Sequence, residues 1–276
     1  MKKNNVFILM LVLLALLAVT ACGVFQEVEA PSATLEAIPL ETQAAGVATE
    51  VTEPTAAPVE PTTAPAEATT APEATTAPEA TVETPTEAPT QEAAAPTGTA
   101  QVFTIDSAAS QVRFQLDEEL RGQPTTVVGT TDQVAGQLSV NLTDLSQTQV
   151  GIIQINARTL TTDNNFRNRA INNEILDTGV FEFITFTPTA VEGLPASATV
   201  GETINFSLVG DLTIRDITVP ATFTVEATVV SETQITGTAA AVINRADFNL
   251  QIPSVPSVAN VEEEVELYID FTANAS

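Results

Sequence analysis

From about residue 101 to the end at 276, apolar and polar side chains alternate with a period of two, and no other property restricts the fold as strongly. Val112, Phe114 and Leu116 alternate with Arg113 and Gln115, and Val134, Leu138, Val140 and Leu142 with Gln137, Ser139 and Asn141 around Gly136. Ile204, Phe206, Leu208, Leu212 and Ile214 share a face against Asn205, Ser207, Asp211, Thr213 and Arg215. Phe223, Val225, Ala227 and Val229 oppose Thr222, Thr224, Glu226 and Thr228, and Val265, Leu267, Ile269 and Phe271 oppose Glu266, Tyr268 and Asp270. Strands with one apolar and one wetted face belong to antiparallel sheets closed or stacked over a core, so the domain is all-β. Turn residues such as Thr143-Asp144, Glu192-Gly193-Leu194-Pro195 and Arg215-Asp216 divide the strands.

Periodicity alone leaves a barrel and an immunoglobulin-like sandwich both open, because each hides alternate side chains. The chain has no Trp and no second Cys, so two frequent marks of the sandwich are missing. One stretch, Asp163 to Asp177, breaks the strand pattern: Phe166, Ala170, Ile171 and Ile175 recur at helical spacing behind Asp163 as an N-cap. It predicts a short helix crossing the domain.

The stretch before the strands has no such pattern. From about residue 26 to 100 the chain is dominated by Pro, Thr, Ala and Glu, with almost no large apolar residue after Leu40 and near-repeats such as Ala71-Pro-Glu-Ala-Thr-Thr-Ala-Pro-Glu-Ala80. That composition cannot bury enough surface to offset ordering entropy, which predicts a disordered linker. A flexible coil of this length averages roughly 50 Å and an extended polyproline chain roughly 230 Å, and like charges favour the longer end. Spacing is its expected role, with a Thr-rich glycosylated stalk as the other reading. Ahead of it, Lys2 and Lys3 precede an uncharged apolar run from Val6 to Val19, too short to span a bilayer comfortably, that ends in Leu17-Ala-Val-Thr-Ala-Cys22-Gly23. Small residues before a cysteine form the pattern that a lipoprotein signal peptidase cleaves. The organisation expected is therefore a signal peptide over 1–21, a linker over 22–100 and a β domain over 101–276, with Cys22 lipidated and the protein held to a membrane of the cell envelope, outside the cytoplasm. Several acyl chains, at about 0.8 kcal/mol per buried methylene, would make that attachment lasting. Gly23 carries no mark of inner-membrane retention, and which membrane holds the anchor stays open.

Charge and composition exclude whole classes of function. The chain has 35 acidic and 9 basic residues and a net charge of −26, so it offers no basic stripe to a nucleic acid. It has no His, and both lysines lie in the signal region, which removes the commonest general base, the usual transition-metal ligand, Ser-His and Cys-His pairs and a lysine Schiff base. Glu262-Glu263-Glu264 and Asp117-Glu118-Glu119 lack the spaced, Gly-turned loop of a calcium site and read as solvated charge. Nothing positions a carboxylate pair for glycoside hydrolysis, and no phosphate loop or nucleophile motif occurs. The expectation is a protein that is not an enzyme.

Four segments in order carry a resemblance. Phe103-Thr-Ile-Asp106 with Ser110-Gln-Val-Arg-Phe114, Asn165-Phe-Arg-Asn-Arg169 through Ile175-Leu-Asp177 and Phe181-Glu-Phe-Ile-Thr-Phe186, Gly210-Asp-Leu-Thr-Ile214 with Thr218-Val-Pro220, and Ile243-Asn-Arg-Ala-Asp-Phe248 are similar to the opening strand pair, helical insert, central hairpin and next-to-last strand of the YceI family. Those are bacterial polyisoprenoid-binding proteins with a lipocalin-like barrel. The chain departs from them at Ala109 and Ala170, where the family often has His, at Glu182 in place of a usual Pro, and at Asp216 in place of a common Gly.

The resemblance implies an antiparallel lipocalin-like β-barrel whose apolar interior holds an isoprenoid or similar long-chain amphiphile, with no catalytic residues. No cofactor is expected beyond a bound isoprenoid lipid or quinone. Phe114, Leu116, Phe166, Ile171, Phe183, Phe186, Leu208, Ile214 and Phe223 are the candidate lining, although ordinary core is the plainer role of any one of them. Arg167, Arg169 and Arg215 are candidates to meet a ligand head group, against surface solvation or ion pairing with the many acids. Asn244, Arg245, Asp247 and Phe248 are expected to be structural, with Arg245 paired to Asp247 or a neighbouring carboxylate and pinning the final hairpin. The partners expected are an apolar lipid and, through Cys22, a membrane. The residues leave a homodimer open, and the rival reading is a structural or adhesive surface protein with a solidly packed barrel.

Overall fold

The computed structural model describes residues 27–32, 34–40 and 98–276. The expected signal peptide, Cys22 and most of the expected linker lie outside the described residues. Thirteen strands form one antiparallel sheet, and the alternation above explains why: each long strand sends one apolar row inward and leaves the other wet.

The β domain opens with β1 (Gln101–Ile105) and, after a single turn capped by the Asp106 carboxylate, β2 (Gln111–Leu120). The last strand, β13 (Glu264–Ala275), is shared between them. Its first half pairs with β2, as in Leu267 with Phe114, and its end pairs with β1, as in Ala273 with Ile105. Handing one edge from β2 to β1 splits the sheet there and curls it into a half-barrel. From β2 the chain turns through Arg121 and Gly122, both at positive φ, into β3 (Gln123–Thr131). Two consecutive positive φ values match the right-handed twist of a hairpin.

From β13 the other side of the sheet runs through β11 (Gln234–Asn244), β10 (Ile217–Ser231), β9 (Thr203–Ile214) and β8 (Phe183–Glu192) to β7 (Ile153–Asn156) and the short β4 (Val134–Ala135). Between β4 and β7 the short strands β5 (Gln137–Val140) and β6 (Gln149–Val150) extend the sheet beyond β1. Thr130 of β3 and Thr161 exchange amide-to-carbonyl hydrogen bonds at 2.9 and 3.0 Å, which joins the far edges. The remaining strand, β12 (Val258–Ala259), pairs with the end of β2.

The predicted helix is present as α1 (Asn165–Ala170), followed without a break by a π turn over Ile171–Ile175 in which the Leu176 amide donates to the Ile171 carbonyl at 2.8 Å. Its cap differs from expectation. The Asn164 side chain accepts from the amides of Phe166 and Arg167, while Asp163 is used in an ion pair with Arg167. An amide oxygen one residue later reaches the free amides just as well, which releases the carboxylate for the guanidinium. The expected strand through Phe248 is also shorter: β11 stops at Asn244, and Arg245–Phe248 form a single 3-10 turn ending in Asn249 at positive φ.

Part of the expected linker, 27–32 and 34–40, lies among the described residues. Within 27–40, the Ala30 carbonyl accepts from Arg158, Ser32 donates to Glu182, and the Leu40 amide donates to Gln137. These polar contacts join residues of the expected linker to the β domain.

The inward faces divide the interior in two along the strand direction. At one end Phe103, Val134, Leu145, Phe186, Leu212 and Phe223 fill the space, with Phe186 and Phe223 edge to face at 4.9 Å. At the other end, one step further along the same strands, the side chains surround a cavity.

Candidate functional site

The cavity measures about 530 Å³, within the ordinary range of small-molecule sites. Strand register supplies its wall. Ile184 of β8, Ile214 of β9, Ile243 of β11, Val265 and Leu267 of β13 and Phe114 and Leu116 of β2 all project into it. Five of these lie two residues along their strand from a core side chain that does not: Phe186, Leu212, Ala241, Ile269 and Val112 belong to the filled end, and Val265 and Leu116 lie two residues further from it. Gly129 stands opposite Phe114, and a Cβ there would lie 2.2 Å from the ring, so a glycine is what lets that ring lie flat against β3.

Two irregular segments complete the wall. The insert contributes Phe166, Ile171 and Ile175, and the segment between β11 and β13 contributes Leu250, Ile252, Pro253, Val255 and Pro256. Phe166 is 63% exposed, so a large aromatic side chain stands partly in water beside an apolar space. The segment 250–263 is held by Arg245 from beneath. Its guanidinium donates to the carbonyls of Leu250, Val261 and Glu262 and pairs with Glu263 at 3.0 Å. This is the expected structural role, with Glu263 rather than Asp247 as the carboxylate; Asp247 is exposed, and Phe248 is fully buried.

Of the nine expected lining residues, Phe114, Leu116, Phe166, Ile171 and Ile214 line the cavity. Phe186, Leu208 and Phe223 are on the inward face but pack in the filled interior. Phe183 is corrected on parity: Ile184 and Phe186 point inward, so Phe183, an odd number of residues from both, points the other way.

The three head-group arginines also separate. Arg167 reaches the cavity, whereas Arg169 and Arg215 lie outside its lining. Arg215 sits at φ +58 in the two-residue turn between β9 and β10, donates to the Ile175 carbonyl at 3.3 Å and lies 5.8 Å from the Phe181 ring centre. It fastens the hairpin to the insert. Sequence reasoning grouped Glu118 with a solvated acid run, yet by parity it shares the face of Phe114 and Leu116. In the structure it is 8% exposed, lines the cavity, and pairs with Arg167 at 2.9 Å.

A second arginine–glutamate pair with both side chains largely buried lies where α1 and the π turn rejoin the sheet. Arg158 and Glu182 are 3.2 Å apart, with each side chain 9% exposed. Arg158 also donates to the carbonyls of Thr178 and Gly179 and pairs with Glu29. Glu182 accepts from the Asn156 side-chain amide at 3.0 Å and from the amide and hydroxyl of Ser32. Burial pushes the Glu182 carboxyl up, but the donors on Ser32 and Asn156 and the Arg158 charge outweigh it, so its pKa lies below the ordinary glutamate value.

Comparison with known proteins agrees with this architecture. The family model described as YceI-like domain matches residues 103–273. A polyisoprenoid binding domain from Saccharophagus degradans, implicated in plant cell wall breakdown, superposes with a TM-score of 0.51 at 15% identity, over 64% of this chain and 99% of that one. BcnA of Burkholderia cenocepacia is 19% identical over 62% of this chain and 99% of its own, with a TM-score of 0.49. No curated protein matches.

Proposed function

The chain belongs to the YceI-like domain family, and from that premise we propose that it is a non-enzymatic carrier that takes the apolar tail of a polyisoprenoid or similar long-chain amphiphile into its half-barrel. The observation that carries this reading is the cavity of about 530 Å³ with walls of Ile, Leu, Val and Phe. Removing such a tail from water is favourable by about 25 cal/mol per Å² of apolar surface. The polyisoprenoid-binding neighbour from Saccharophagus degradans supports the same ligand class. A barrel packed solid for a purely structural or adhesive role would not leave this space between strands that are otherwise densely filled.

The test is to purify the protein from cells under mild conditions and identify its bound lipids by native mass spectrometry. A stoichiometric long-chain isoprenoid is expected. A protein that emerges empty and ignores added isoprenoid quinones and prenols would end the carrier reading.

The reading extends to location: the carrier is a lipoprotein held outside the cytoplasm through Cys22. Cys22→Ser is expected to leave unprocessed precursor in whole cells. Normal maturation and membrane partitioning of that variant would overturn the anchor.

A further inference from the structure

We infer that the cavity selects amphiphiles with an uncharged polar head, such as a quinone, phenol or alcohol, and discriminates against prenyl phosphates and diphosphates. The inference rests on the carrier reading above and concerns the groups that any head would meet. Four charged side chains touch the cavity: Glu118, Arg121, Arg167 and Arg245. Two of the three cations are already matched. Arg167 is held by Glu118 at 2.9 Å and by Asp163, and Arg245 by Glu263 and three backbone carbonyls. Among the described residues no carboxylate pairs with Arg121, which is exposed at the turn between β2 and β3.

A diphosphate bears two to three negative charges and needs several charge-assisted donors when it leaves water. Here it would approach the buried Glu118 carboxylate and compete with it for Arg167. The surroundings are no kinder, since residues 101–276 hold 22 acidic side chains against seven arginines. A neutral head avoids all of these costs. The Glu118 carboxylate can accept from a hydroxyl, and the Arg167 guanidinium can donate to a carbonyl, so the pair offers both halves of a hydrogen bond without taking up net charge.

Farnesol and farnesyl diphosphate share one tail and differ only in the head. The chain has no Trp to report binding, so isothermal titration or competition with a lipophilic fluorophore on the purified full chain is the suitable readout. Farnesol is expected to bind at least about tenfold more tightly. Diphosphate binding as tight as or tighter than farnesol would overturn the head-group inference and leave the carrier reading standing, whereas binding of neither would overturn both. Glu118→Gln removes the competing carboxylate, and Asp163→Asn removes the other of the two carboxylates on the same guanidinium, at a side chain that is 84% exposed and does not contribute to the core. Either variant is expected to narrow the ratio by strengthening diphosphate binding. A ratio that stays unchanged in the Asp163→Asn protein would overturn the inference even if Glu118→Gln failed to fold.

Discussion

Among the described residues a largely buried arginine–glutamate pair occurs twice, in two settings. Arg158 and Glu182 sit under the insert with every neighbouring group engaged: two backbone carbonyls, an asparagine, and the Glu29 and Ser32 side chains of the segment 27–40. Arg167 and Glu118 are as close to each other but face an apolar cavity, and Glu118 has Arg167 as its partner. A buried pair whose remaining donors and acceptors are all met acts as a clamp, because removing either member leaves the other charged and stranded. A pair with spare hydrogen-bonding capacity toward an open space is instead available to a guest. Surroundings, not the pair, decide the role.

That contrast can be broken from the clamp side. Arg158→Ala strands Glu182 together with the Thr178 and Gly179 carbonyls, and an unfolding titration should show a loss of about 3–5 kcal/mol. A loss near zero would mean that the clamp is no stronger than a surface pair.

Acid sharpens the same point. The Glu182 carboxyl is held below its ordinary value in the folded state, so its contribution is present above the unfolded value of about 4.3 and is lost as pH falls through the lower folded value. Thermal melts between pH 7 and pH 3 should therefore show an acid-side loss that shrinks in Glu182→Gln. Protease access to the segment around Pro31 should rise over the same window. An equal loss in the variant would assign the acid response to other carboxylates.

From the cavity side, the double change Glu118→Leu with Arg167→Met should leave stability within about 1 kcal/mol of the parent or raise it, since apolar replacement of a buried pair is often neutral. Farnesol should still enter, with its preference over the diphosphate reduced. The smallest effect belongs to Ser32→Ala. It removes one hydroxyl donor from a carboxylate that keeps others, at a cost of about 1 kcal/mol or less.

How much of this was legible before the fold varies by residue. Parity places Phe114, Leu116, Ile214 and Leu267 on the inward face, and the same parity applies to Glu118, which the acid run around it obscures, and to Ile184, beside the aromatic Phe183. The segment 250–256 carried only a faint signal: apolar residues between prolines, with no polar alternation to place them. Arg245 was recognised as structural, and its carboxylate partner proved to lie 18 residues on, across a loop whose path no local pattern encodes.

The amino-acid sequence by itself determined which side of each strand is apolar and where the helix interrupts the sheet, because each of these depends on neighbours a few residues apart. Only the tertiary structure decided depth. Whether an inward residue packs in the filled end, as Phe186 does, or faces the cavity, as Ile184 does two positions away, depends on the stagger of strands distant in sequence and on which loop closes over them. A period of two repeats identically along the whole strand and carries no mark of height.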